Sequence, residues 1–195
     1  MTRLDRRSSV ARLLAGRQDL LVVSGLGSPT YDVAAAGDHA LNFYLWGAMG
    51  GAAMVGLGLA LAQPRRPVLV VTGDGEMLMG LGALATIGAR NPGNLTVAVL
   101  DNESYGETGG QESHTAHGAD LAAVARGCGI SDSRIIVEED DLQSFAGRIH
   151  RLGESSAVGV LKISTDEDQR VLPSRDAAFL KDRFRLALGV AAAEL

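Results

Sequence analysis

The chain of 195 residues holds a single cysteine, Cys128, so no disulfide can form within it, and a reducing cytoplasm is the simple expectation. It has no basic cluster of the kind that tracks a phosphate backbone, and its formal charge is −5, which argues against nucleic acid as a partner. Residues 1–18 carry several arginines and no apolar core, so no signal peptide is expected. Phe43 to Ala62 is free of charge for twenty residues, the length of a membrane span. Five glycines and five alanines leave it little large apolar surface, however, and a helix buried between layers or subunits is the better expectation. His114 and His117 have no cysteine or further histidine nearby to complete a zinc site. Solvated loop histidines are the plain reading. Proton transfer by His114 is the alternative, since imidazole titrates near neutrality.

What is present is organised around residues 67–111. Val68 to Thr72 reads as a strand that turns sharply at Gly73-Asp74-Gly75. One small-residue helical segment follows, up to a break at Asn91-Pro92-Gly93. A second strand, Leu95 to Leu100, then delivers Asp101-Asn102 and another glycine-rich loop. Two polar loops at the ends of neighbouring strands form the place where open α/β sheets bind ligands. The Asp74 carboxylate, the Asn102 amide oxygen and the Ser104 carbonyl are hard oxygen donors suited to Mg²⁺. The amides from Gly75 onward open a helix and face an anion. Arg90 is the only basic residue between Val68 and Gln111, so a phosphate here is expected to be neutralised by metal and backbone. The glycine spacing does not fit a P-loop.

Elsewhere, apolar periodicity predicts a helix from Arg3 to Arg17, with strands at Asp19–Ser24 and Leu41–Leu45 and a short helix from Tyr31 to Ala36. Asp120 to Cys128 reads as a helix capped by Asp120 and ended at Gly129. Arg134–Val137 and Val158–Ile163 read as strands, Asp140–Leu152 as a helix, and Asp176 to Ala192 as a terminal helix. Alternating strands and helices predict one α/β domain with a mainly parallel six-stranded sheet and helices on both faces.

Gly73-Asp74-Gly75 and Asp101-Asn102, with Asp74 and Asn102 standing 28 positions apart, resemble the thiamine diphosphate and Mg²⁺ motif. The wider pattern resembles the small β subunits of split 2-oxoacid decarboxylases of the sulfopyruvate and phosphonopyruvate type. It includes Asn42-Phe43-Tyr44, Gly47-Ala48-Met49-Gly50, Tyr105-Gly106 with Thr108-Gly109-Gly110-Gln111, and Phe179 to Phe184. The resemblance implies a diphosphate-binding domain with thiamine diphosphate and Mg²⁺ as cofactors, and Asp74, Asn102 and Ser104 at the metal. Gly47, Met49, Gly73, Gly75, Glu76, Tyr105 and Gly106 are its expected cofactor-binding positions. Met49, 25 positions before Asp74, would wedge under the cofactor and bend it, a proximity effect. The Gly47 carbonyl would accept its amino group. Asp101 stands where asparagine is commoner. Glu76 would contribute its backbone N–H, its carboxylate merely favouring a helix start.

The same resemblance places the catalytic glutamate on a separate pyrimidine-binding α subunit, in a dimer, an α2β2 or a larger assembly that decarboxylates a 2-oxo acid to an aldehyde. An acetolactate synthase-like carboligase subunit and a non-catalytic scaffold or sensor are alternatives. An oxidoreductase subunit is another, and its iron–sulfur cluster would need cysteines from other chains.

Overall fold

The computed structural model describes residues 3–166 and 168–190. Asp5 caps the first helix by accepting from the Ser8 amide, and α1 runs Arg6–Leu14. It is followed by β1 (Leu21–Ser24), α2 (Ser28–Ala35), β2 (Asn42–Tyr44), α3 (Ala52–Ala62), β3 (Val68–Gly73), α4 (Asp74–Met79), α5 (Gly82–Arg90) and β4 (Leu95–Asp101). A two-stranded ribbon, β5 (Ser104–Tyr105) and β6 (Gln111–Glu112), crosses the top of the sheet. Then come α6 (Leu121–Gly127), β7 (Asp132–Ile136), α7 (Glu139–Ile149), β8 (Ala157–Lys162) and α8 (Ala177–Ala187).

Six strands pair in the order β2-β1-β3-β4-β8-β7, every pairing parallel. This is the expected sheet. Its strands are buried along almost their whole length, so they read as continuous apolar runs, and alternate residues serve opposite layers. Leu21, Val23, Val68, Val70, Val97 and Val99 pack with α3, α5 and α6. Val22, Leu69, Val71, Ala98 and Leu100 pack with α1, α2 and α7. The chain leaves β1 toward β2 on one side and returns to β3 on the other. The crevice beyond the carboxyl ends of β1 and β3 is therefore a topological switch point.

Several expectations shift. The segment after Gly75 is two helices, broken at Gly80. A Cβ there would lie 2.1 Å from the Gly50 carbonyl oxygen, so the chain bends where two glycine backbones touch. Phe43 to Ala62 is no continuous helix: it is the end of β2, a loop, and α3, on which Met54, Val55 and Leu61 are exposed. The second helix starts at Ser28, three residues before the expected Tyr31, because Pro29 suits a first turn. Asp120 caps α6 as expected, and the Ile130 amide closes its far end onto the Ala125 carbonyl around Gly129. Ala192 lies outside the described residues. Among the described residues no helix is long and apolar enough to cross a membrane.

Candidate functional site

A cleft opens at the switch point. Leu26, Ser28 and Pro29 reach it from the β1–α2 turn, and Gly73 to Glu76 from the β3–α4 turn. Met49 enters from the β2–α3 loop, and Asn102, Ser104, Tyr105 and Gly106 from the loop after β4. Nearly all the residues expected around the cofactor and metal thus line one space. Gly47 does not line it; it lies exposed in the loop that carries Met49. His114 is also exposed, in a single 3-10 turn outside the lining.

The end of β3 delivers Asp74 as the first residue of α4. Gly75 is needed behind it, since a Cβ there would meet the Tyr105 ring at 2.6 Å. Asp74 is 1% exposed, and its Oδ2 accepts from the Ser113 hydroxyl and from Thr115 Oγ1 at 3.2 Å. Burial raises its pKa, the Asp101 carboxylate adds to the rise, and the Ser113 hydrogen bond opposes it. No positively charged side chain among the described residues pairs with it. A buried carboxylate held by hydroxyls and its own amide, in a cleft that Asn102 also lines, is the donor chemistry of a hard divalent cation. Asn102 accepts from the Ser104 amide at 3.0 Å, which curls the loop so that Ser104 turns back into the cleft. No group of three or more His, Cys, Asp or Glu gathers for a metal among the described residues. The oxygen set therefore depends on amide, carbonyl and substrate oxygens.

Glu76 does more than favour a helix start. Its carboxylate is buried, accepts from the Thr72 hydroxyl at 2.9 Å and from the Ala52 amide at 3.4 Å, and has the Gly50 and Leu26 amides as further donors. It leaves no room for a Cβ at Gly25, which would lie 1.6 Å from Oε2. Three loops that form the cleft are tied by this one side chain. Desolvation raises its pKa. In the β2–α3 loop Ala48 adopts φ 53, and in the turn after β4 Glu103 adopts φ 64. Each costs an L-residue about 1 kcal/mol or more, strain of the kind that gathers at functional loops.

Among the polar lining residues, Arg6, Ser28 and Glu107 lie outside the sequence pattern. Ser28 had a legible signal, a Gly-x-Gly-Ser-Pro turn after a strand. Arg6 had none, because it comes from the far end of the chain.

Residues 25–158 match the family model of the thiamine pyrophosphate enzyme C-terminal TPP binding domain. The chain belongs to that family. It is 47% identical over 141 residues to a phosphonopyruvate decarboxylase of Streptomyces viridochromogenes, covering 72% of this chain and 35% of that one. It is 44% identical over 110 residues to the sulfopyruvate decarboxylase subunit beta of Methanocaldococcus jannaschii, covering 56% and 58%. The chain thus spans about a third and somewhat over half of these two curated relatives. Among solved structures, a thiamine diphosphate-dependent 4-hydroxybenzoylformate decarboxylase from Rhodococcus jostii superposes with a TM-score of 0.70 at 20% identity. That match covers 86% of this chain and 34% of that one, a likeness of fold.

Proposed function

We propose that this chain is the diphosphate-binding subunit of a heteromeric thiamine diphosphate-dependent decarboxylase, acting on a 2-oxo acid to release an aldehyde. The observation that carries the reading is Asp74, buried and without a cationic partner among the described residues, lining one cleft with Asn102, Ser104 and Met49. Asp74, the Asn102 amide oxygen and the Ser104 carbonyl would hold Mg²⁺. The α4 amides from Gly75 onward and the Ser28 turn would hold the phosphates. Thiamine diphosphate, when bound, supplies the electron sink for loss of CO₂. Met49 would pack against it, Glu76 fixes the loop bearing Met49 against the α4 turn, and Tyr105, lying over Gly75, would help to exclude water. A pyrimidine-binding α subunit would supply the catalytic glutamate. The exposed Met54, Val55 and Leu61 of α3, with Met79 nearby, are apolar surface suited to such a contact. The names of the curated relatives support a 2-oxo acid bearing a second strong acid.

Calorimetry with thiamine diphosphate and Mg²⁺, with and without a co-expressed α subunit, tests the site. The α–β mixture is then assayed on pyruvate, sulfopyruvate and phosphonopyruvate. Aldehyde formation supports the proposal, acyloin formation would make the protein a carboligase, and absence of cofactor binding would remove the enzymatic reading.

A further inference from the structure

Among the described residues that line the cleft, Arg6 carries the only positive charge, while Asp74, Glu76 and Glu107 contribute carboxylates to the same lining. A bound diphosphate brings roughly two to three negative charges, judged from a phosphate monoester near neutrality. A divalent ion shared with Asp74 cannot balance that alone. Arg6 is built to help. It opens α1, and its side chain is 7% exposed. Nε donates to Asp32 on α2, a carboxylate with no exposure at all, whose other oxygen accepts from Arg7 Nε at 3.2 Å. The terminal nitrogens donate no hydrogen bond among the described residues, and the Asp168 carboxylate stands 3.9 Å from Nη2. The guanidinium borders both the cleft and the recess next to it, which shares Asn102, Ser104 and Gly106. Arg6 and Met49 also approach from opposite faces of the sheet, α1 packing with one layer and α3 with the other.

We propose that Arg6 is a phosphate-binding residue of this site. Asp32 orients the guanidinium through Nε, and the terminal nitrogens donate to outer oxygens of the diphosphate, a fork geometry that suits phosphate. The inference rests on the cofactor reading above and extends it to a residue outside the motif.

The test is calorimetry of the full chain, alone and with any chain it co-purifies with, using two probes: Mg²⁺ with inorganic pyrophosphate, and Mg²⁺ with thiamine diphosphate. Arg6→Gln is compared with Arg6→Gln/Asp32→Asn, which removes both charges so that no lone carboxylate stays buried, and with Arg6→Lys. Both Gln variants are expected to bind both probes about 10- to 100-fold more weakly, the range for a hydrogen bond to a charged group, with Lys restoring part of the loss. Wild-type affinity for pyrophosphate in the folded double variant overturns the inference, as does a loss confined to thiamine diphosphate. Failure of the wild-type protein to bind either probe overturns the cofactor site itself, a different result.

Discussion

Two aspartates end adjacent strands, and their surroundings differ in one respect. Asp101 closes β4, and Asp74 follows β3; each is 1% exposed. The register of β4 against β8 places Lys162 beside Asp101, with Nζ 2.7 Å from Oδ2, and Lys162 also reaches Glu103 at 3.0 Å. Asp74 has the hydroxyls of Ser113 and Thr115 and its own backbone amide, and no cation pairs with it among the described residues. Thr115 touches both acids, lying 2.7 Å from Asp101 Oδ1 and 3.2 Å from Asp74 Oδ2. The contrast separates a charge the fold has already neutralised from one without a cationic partner among the described residues, which the proposal above assigns to Mg²⁺. It also accounts for an aspartate at position 101, where the resemblance would put asparagine: Lys162 supplies the charge that makes it tolerable.

The contrast can be broken at either end. The largest effect is expected from Asp74→Ala, which should weaken Mg²⁺-dependent thiamine diphosphate binding by more than about a hundredfold, measured by calorimetry. Asp74→Asn should lose the same binding yet match or exceed the metal-free stability of the wild type, since it removes a buried charge that has no partner. If its urea midpoint falls sharply instead, Asp74 is structural. Lys162→Met should do the reverse, costing about 2–3 kcal/mol in urea unfolding by stranding Asp101. The estimate stays below the range for a fully buried pair because Lys162 keeps some contact with water.

Thr115→Val, which strips a donor from the pair of acids, should cost about 1–2 kcal/mol, read from the same unfolding curves. Acid titration sharpens the comparison further. Burial raises the folded-state pKa of Asp74 above its unfolded value, so ionised Asp74 weakens the metal-free fold. That penalty is absent near and below the unfolded value of 3.8 and grows as pH rises through the folded value. The stability of wild type relative to Asp74→Asn should therefore fall from acid toward neutral pH without Mg²⁺, and the slope should shrink when Mg²⁺ is added. The smallest effect belongs to His114→Ala, whose exposed side chain is expected to change stability by less than about 0.5 kcal/mol and leave cofactor affinity intact.

Much of the site was legible because it is local. A strand ending in Gly73-Asp74-Gly75 and another ending in Asp101-Asn102 must present those groups at the same sheet edge once the strands pair in parallel. Neighbouring pairing is the common outcome for consecutive strands joined by a helix. Glu76 was legible as a helix-start residue and hidden as a tie between loops, since its partners Ala52, Gly50 and Leu26 lie up to fifty residues away. The break at Gly80 was hidden for the same reason, being caused by Gly50. His114 lies exposed on a 3-10 turn outside the cleft lining, in keeping with the plain reading of a solvated loop histidine.

The amino-acid order alone determined the strands, the two oxygen-bearing turns and the spacing between Asp74 and Asn102, because each follows from short-range periodicity and turn chemistry. Tertiary structure alone decided which charges are answered. Lys162 meets Asp101 through sheet register, and Arg6 meets the cleft through the packing of α1 against α2. Electrostatic partners act across space, and in this fold they come from the two ends of the chain.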